Sequence, residues 1–289
     1  MVYLARPVFY VKYFLNQYFI DSFGGLSSSS NYLLTVCPQP LYDRLSQIME
    51  LFMSDPKEKI IFALDVEHFS EAQQWVRLLK NQVGMFKVGK QLFTHAGPKV
   101  IDMILQKGQK VFLDLKFHDI PNTVAKAGEE ATKHNVTMFN LHAMGGFEMM
   151  KKTVEASRAV AKTQSISKPL ILAVTILTSM DEKTIEEVGI QGPIPEQVAR
   201  LASLAMKAGV DGVVASPQEI SIIRQNCGDK FLIVTPGIRM PSSKSDDQKR
   251  TLSPKEAIAA GADYLVIGRP IKEAKDPLEA VQKIVEDIS

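Results

Sequence analysis

The stretch VFLDLKFHDIPNTV, residues 111–124, opens like a buried strand and closes like the start of a helix. Val111, Phe112 and Leu113 suit a strand interior, yet Asp114, Lys116 and Asp119 follow at once. A charge in an apolar run costs free energy unless it is paired or put to use, so three together need a reason. On a strand, Asp114 and Lys116 share a face because side chains alternate with period two, and they form a close acid–base pair. Asp119 lies just beyond, in the loop before Pro121. Proline donates no ladder hydrogen bond and suits the first turn of a helix. The stretch reads as strand, charged tip, helix.

That rhythm recurs from Lys59 onward. Eight apolar runs rich in β-branched residues, KIIFALDV, MFKVGK, VFLDLKF, TMFNLHA, LILAVTIL, DGVVAS, FLIVTPGI and DYLVIGRP, alternate with longer segments of helical periodicity. Runs this apolar, without alternation, are typical of strands buried on both faces, the usual condition of parallel sheets. Segments such as SEAQQWVRLLKNQV, PEQVARLASLAMKAG and SPKEAIAAGA carry Ser or Pro at their starts and Gly near their ends, the punctuation of helices. Eight strand–helix units over about 230 residues predict an α/β fold, a (β/α)8 TIM barrel with a parallel eight-stranded core. No sequence repeat stands out, and that fold requires none. The structural competitor, a doubly wound open sheet, usually carries a glycine fingerprint after its first strand, and FALDVEHFSEA has none.

In such barrels the active site lies at the carboxyl ends of the strands. Asp65 ends the first run, Lys87 sits in the second, Asp114 and Lys116 end the third, and His142 ends the fourth. Thr178 follows the fifth, Pro236 and Arg239 follow the seventh, and Gly268 with Arg269 end the eighth. Asp65, Lys87, Asp114 and Lys116 suggest an alternating array in which each ammonium is kept charged by carboxylate neighbours. The plainer reading, an interior ion pair without chemistry, is disfavoured because buried pairs are often less favourable than apolar replacements. His142 reads as a core residue, and alternation points His118 away from the barrel centre, so neither is assigned chemistry. Asp65, Asp114 and His142 have the donor atoms of a divalent metal site, but two lysines in the same space would repel the ion, and no metal is expected. Gly268 lets backbone approach a ligand, and Arg269 can pair with a phosphate dianion. Arg239 supplies a second guanidinium, in a fold that often binds phosphate after strands seven and eight. The polar segment between Met240 and Thr251 has the length of a lid or of a plain solvated loop.

With 289 residues, 45% of them hydrophobic and 23% charged, the chain has globular composition. A formal net charge of +2, without a Lys/Arg run of five, excludes the basic field of a nucleic-acid binder. Cys37 and Cys227 are the only cysteines, too few and too far apart for a disulfide framework or zinc site, which favours a reducing compartment. Residues 1–52 differ from the barrel domain expected over 53–289. They are aromatic-rich, with Arg6 and Lys12 before the first acid, Asp21, and a serine run from Ser27 to Ser30. Their apolar stretches are too short and interrupted for a membrane span, and no secretory cleavage pattern follows. A dispensable extension ahead of a start at Met53, a targeting segment, and a structured extension packed on the barrel all fit.

The block DLKFHDIPNTV resembles the hallmark of the orotidine 5′-phosphate decarboxylase family. FALDV, FKVG, AVTILTSM, TPGIR, DDQKR and VIGRP are similar to that family's further blocks, in its order, and the resemblance spans residues 57–289. It implies conversion of orotidine monophosphate to uridine monophosphate and CO2, without a cofactor, by a cytoplasmic homodimer. It further implies that Asp65 and Lys87 hold the ribose hydroxyls, that Asp114 lies against the substrate carboxylate, and that Lys116 donates the proton. Asp119, with Ile120 and Thr123, would reach across a dimer interface into the partner's site. Thr178 would contact the pyrimidine, Pro236 its face, and Arg239, Gln248, Gly268 and Arg269 the phosphate end. A magnesium-dependent sugar-phosphate decarboxylase or aldol-type synthase of the same barrel group resembles the D-x-K-x-x-D arrangement too, but those relatives usually carry an acid where Lys87 stands. A non-catalytic phosphate-binding barrel would have no need of the array, and the extension is too short for a fused phosphoribosyltransferase.

Overall fold

The computed structural model describes residues 55–239 and 252–289. Its eight strands are β1 Ile60–Ala63, β2 Met85–Gly89, β3 Val111–Phe117, β4 Met138–His142, β5 Leu170–Val174, β6 Gly212–Val214, β7 Leu232–Thr235 and β8 Tyr264–Ile267. They pair in sequence order as a closed barrel, and every pairing is parallel, including β1 with β8. Each of the eight apolar runs contains one strand. Helices intervene throughout: α1 Phe69–Leu79, α2 Lys90–Ala96, α3 Lys99–Gln106, α4 Pro121–Lys133, α5 Phe147–Gln164, α6 Glu182–Glu187, α7 Ile194–Lys207, α8 Ile220–Cys227, α9 Pro254–Ala259, α10 Arg269–Lys272 and α11 Pro277–Asp287. This is the expected (β/α)8 architecture. Among the described residues, no helix is long and apolar enough to cross a membrane.

Period-two alternation sorts the strand residues into two apolar populations. Phe62, Phe86, Leu113, Phe139, Ile171, Val213, Ile233 and Leu265 face outward and join the helices in the main core. Their neighbours Ile61, Met85, Phe112, Met138, Leu172 and Val234 face inward and pack as a separate plug inside the barrel. Burial on both faces is what removes the polar alternation from the sequence. The next inward position lies two residues further along each strand. There stand Ala63, Lys87, Asp114, Asn140, Val174, Val214, Pro236 and Val266, so the layer above the plug contains the charges.

The helix ends follow local chemistry. Pro121 opens α4, where its missing N–H costs nothing. Ser253 and Glu256 close a capping box at the start of α9, with Ser253 N–H donating to Glu256 Oε2 at 2.9 Å and Glu256 N–H to Ser253 Oγ at 3.3 Å. Gly128 lets α4 and α5 approach closely, since a Cβ there would come within 2.8 Å of Thr153 Cγ2.

At the amino-terminal end of the barrel one device occurs twice. Asp211, just before β6, accepts the Ile171 N–H of β5 at 2.8 Å, with Arg158 of α5 3.6 Å from its other oxygen. Asp263, just before β8, accepts the Ile233 N–H of β7 at 2.7 Å and the Arg224 guanidinium of α8 at 2.7 Å. The two aspartates end the matching tetrapeptides AGVD and AGAD. The shared device is local and comes with no longer sequence match.

Candidate active site

The charged layer closes the floor of a cavity of about 250 Å3 at the carboxyl end of the barrel, lined by Asp65, Lys87, Asp114, Lys116, Thr178, Pro236, Arg239, Gly268, Arg269 and Lys272 among others. Lys87 on β2 lies between two acids, with Nζ 3.0 Å from Asp65 Oδ1 and 3.3 Å from Asp114 Oδ2. Asp114 on β3 in turn holds Lys116, whose Nζ donates to Oδ1 at 2.6 Å. The order acid, base, acid, base is the alternating array expected from sequence.

Burial sets the electrostatics of the two central members. Burial pulls the Lys87 ammonium down, but the charges of Asp114 and Asp65 outweigh it, and its pKa ends above the ordinary lysine value. Burial pushes Asp114 up, while Lys87, Lys116 and the Asn140 amide together bring it below the ordinary carboxylate value. Both groups therefore stay ionised through the neutral range. Asp65 differs in standing, because its side chain is 61% exposed and solvent screens it.

Two details depart from regular strand geometry. Asp65 lies two residues past the end of β1, although pairing continues through Leu64, whose N–H donates to Lys87 O at 3.0 Å. Lys116 is not a regular strand residue. Its φ is +51°, and the β3–β4 register runs from Leu113↔Phe139 directly to Phe117↔Leu141. Asp114, Leu115 and Lys116 together thus oppose Asn140 alone. Lys116 meets Asp114 through this bulge, which simple alternation does not foresee. Beyond the bulge alternation no longer carries, and the exposed His118 meets His142 in a tilted contact, ring centroids 5.3 Å apart and planes at 35°. Burial, His118 and Lys116 lower the His142 pKa to about 4, so this ring is neutral at pH 7.

Sequence reasoning passed over two neighbours of the array. Asn140, fully buried, donates to Asp114 Oδ1 at 2.7 Å and accepts the Lys116 N–H at 2.8 Å. The signal for it was the period-two step from Met138 to Asn140 within TMFNLHA. Lys272 lines the cavity and donates to the Asp65 carbonyl at 2.7 Å. It lies one helical turn after Arg269, where i and i+3 side chains share a face.

Thr178, Pro236, Arg239, Gly268 and Arg269 also line the cavity, from the segments that follow strands β5, β7 and β8. Asp119, Ile120 and Thr123 do not line it. All three are exposed, Ile120 to 66%, and the Asp119 carboxylate accepts its neighbour's N–H, from Ile120, at 2.6 Å. Gln248, the segment between Met240 and Thr251, and residues 1–52 lie outside the described residues. Ile238 and Leu252, the described residues on either side of that segment, form an isolated parallel bridge next to Arg239. Among the described residues, no group of three or more His, Cys, Asp or Glu side chains gathers as a metal centre would.

Comparison with known proteins adds three findings. Residues 58–284 match the profile of the orotidine 5′-phosphate decarboxylase / HUMPS family. The chain is similar to the orotidine 5′-phosphate decarboxylases of Geotalea daltonii, 58% identical over 81% of this chain and 97% of that protein, and of Geobacter sulfurreducens, 57% identical over 80% and 96%. Among solved structures it resembles the orotidine 5′-phosphate decarboxylase of Lactobacillus acidophilus, with a TM-score of 0.71 and 38% identity over 80% of this chain and 98% of that one. It also resembles an uncharacterized conserved protein of Geobacillus kaustophilus, with a TM-score of 0.68 and 36% identity over 80% and 100%.

Proposed function

The chain belongs to the orotidine 5′-phosphate decarboxylase / HUMPS family as a carboxy-lyase acting on orotidine monophosphate, and we propose that it works without a cofactor, through Lys116. The observation that carries this reading is the Lys116 ammonium, 2.6 Å from Asp114 Oδ1 at the wall of the cavity. When the bond from the ring carbon to the carboxylate breaks, its electron pair stays in the ring plane, where no π-system spreads it. CO2 leaves, and the carbanion takes a proton from Lys116 Nζ to give uridine monophosphate. The lysine regains a proton from solvent. A fixed ammonium beside the carbon stabilises the developing charge and needs no reorganisation at the moment of reaction.

Asp65 and Lys87 would hold the ribose hydroxyls, and Asp114 would lie against the departing carboxylate. Thr178 and Pro236 would contact the pyrimidine, and Arg239, Gly268 and Arg269, joined by Gln248, the phosphate. Contacts this remote from the breaking bond contribute by positioning the substrate. Lys87 Nζ, set between Asp65 and Asp114, supports the metal-free reading, since it holds the place between the two acids that a divalent ion would need. Ultraviolet absorbance of purified protein with orotidine monophosphate and EDTA tests this directly. Turnover should be unchanged by the chelator. Loss on chelation and recovery with magnesium would move the assignment to the metal-dependent relatives.

Asp119, Ile120 and Thr123 would complete the site of a second copy, a reading supported by their exposure at the barrel rim outside their own cavity. In a shared-site dimer, Lys116→Ala and Asp119→Ala chains should complement one another, because one of the two mixed sites keeps both residues. Mixing two inactive variants without recovery would refute it. Residues 1–52, ahead of the matched region, would be dispensable for catalysis.

A further inference from the structure

We propose that Asn140 is the positioning residue that aims Lys116 and keeps Asp114 fixed beneath the substrate; this rests on the decarboxylase reading above. The bulge in β3 creates the need for it. Between Leu113↔Phe139 and Phe117↔Leu141, three residues of β3 face one residue of β4, and that one is Asn140. A regular ladder would satisfy each backbone N–H from the neighbouring strand. Here the Lys116 N–H would be left without a partner, at a cost comparable to a lost hydrogen bond. The Asn140 side-chain oxygen takes it at 2.8 Å, so an amide side chain does the work of a missing backbone carbonyl.

The other end of the same amide is equally committed. Asn140 Nδ2 donates at 2.7 Å to Asp114 Oδ1, the oxygen that also receives Lys116 Nζ at 2.6 Å. One side chain thus grips the main chain of the lysine and the carboxylate that holds its ammonium. Because its partners are an N–H and a carboxylate, the orientation of the amide is fixed without ambiguity. Lys116 sits at φ +51°, a conformation a non-glycine residue keeps only when its surroundings hold it there. Asn140 is fully buried, with no solvent to replace either bond. Its hydrogen bond also helps hold Asp114 ionised, beside the charges of Lys87 and Lys116. The other titratable group at this end of β4 is His142, neutral above about pH 4.

Asn140 does not line the cavity, so its effect must pass through Lys116 and Asp114. A misplacement of the order of 1 Å at a reacting group can cost about 100-fold in rate. Asn140→Ala should therefore lower kcat by about that factor while leaving the dissociation constant for uridine monophosphate little changed. Asn140→Asp keeps the shape, and with it the fold, but its carboxylate can donate to Asp114 only when protonated. Two carboxylates so close share one proton, so the pH optimum of this variant should move to the acid side of the wild-type optimum.

Turnover of orotidine monophosphate by wild type and both variants, as kcat and KM against pH, with product binding by calorimetry, decides the matter. Retention of wild-type kcat by the Ala variant overturns the inference. So does a parallel fall of kcat and product affinity, the mark of a collapsed site, or a wild-type pH profile in the Asp variant. Absence of turnover by the wild type itself would instead overturn the decarboxylase reading, and this inference with it.

Discussion

Replacing Lys116 with alanine separates the chemistry from the fold. Among the described residues, Lys116 Nζ has one acidic partner, Asp114, at 2.6 Å. Without it, Asp114 keeps Lys87 at 3.3 Å and the Asn140 amide at 2.7 Å, so the carboxylate is not stranded and stability should fall by only about 1–3 kcal/mol. The chemical loss is larger. Removing one preorganised donor to a developing negative charge costs about 10²–10³ in kcat, and removing the proton donor a further 10²–10⁴ or so. If the two multiply, the variant should be slower by about 10⁴–10⁷, or roughly 5–10 kcal/mol of barrel-supplied transition-state stabilisation at 1.36 kcal/mol per decade. Single-turnover absorbance with enzyme in excess has the range to see this, and calorimetry with uridine monophosphate tests that the cavity still forms. A kcat within about tenfold of wild type would mean that the ammonium is not the group beside the carbanion.

Three further outcomes follow from the geometry. Arg224→Ala removes the guanidinium that Asp263 meets at 2.7 Å, leaving that carboxylate the Ile233 N–H, and frees the carbonyls of Gly228, Asp229, Phe231 and Gly261; a loss of about 1–3 kcal/mol in urea unfolding with unchanged kcat is expected, and an unchanged midpoint would refute it. Gly128→Ala gains about 1 kcal/mol of helix propensity, but its Cβ would meet Thr153 Cγ2 at 2.8 Å and Ser157 Oγ at 2.9 Å, so the thermal midpoint should fall; a rise would show that α4 and α5 can separate at no cost. His142, lowered to about 4 against roughly 6.5 in the unfolded chain, binds fewer protons folded than unfolded between those values. Its contribution is thus present above about pH 6.5 and lost as pH falls toward 4. An NMR titration of its ring with a midpoint above 6 would contradict this, as would an acid stability profile that His142→Asn leaves unchanged.

The barrel was legible because its strands are buried on both faces, which turns each into a short unbroken apolar run such as LILAV or FLIV. Asp65, Lys87 and Asp114 were legible for the opposite reason, as charges standing where such runs should have stayed apolar. Lys116 was found through an argument the backbone does not follow, since it reaches Asp114 from a bulge and not from the next inward position of a regular strand. Asn140 escaped because an amide inside an apolar run is a weaker signal than a charge, and its importance depends on a register shift in β3 that one strand's sequence cannot encode. Lys272 escaped because a lysine three residues past VIGR reads as helix surface until the α10 turn brings it to the Asp65 carbonyl. Asp119, Ile120 and Thr123 were legible as a motif, while their place outside the cavity follows from the path of the chain after the bulge.

The charged layer and the fold are linked by how the cost of burial is distributed. Lys87 and Asp114 are each about nine-tenths buried, where an unpaired charge would shift its pKa and neutralise. Neither does, because each is flanked by two groups of opposite charge, with the Asn140 amide as a third partner of Asp114, and both shifts run toward ionisation. By the linkage rule, the lowered Asp114 contributes stability above about pH 4, lost as pH falls through its folded value. The raised Lys87 contributes below about pH 10.4, lost as pH rises through its own. Over the neutral range the inner pair is therefore part of the scaffold. The outer members stand differently, Asp65 61% and Lys116 25% exposed at the side chain, each with one acid–base partner in the array. The array thus has a buried centre that is ionised over the neutral range and two ends open to the cavity, and chemistry that needs a proton to leave an ammonium can occur only at an end that solvent can recharge. Of the two ends, only Lys116 carries such a proton.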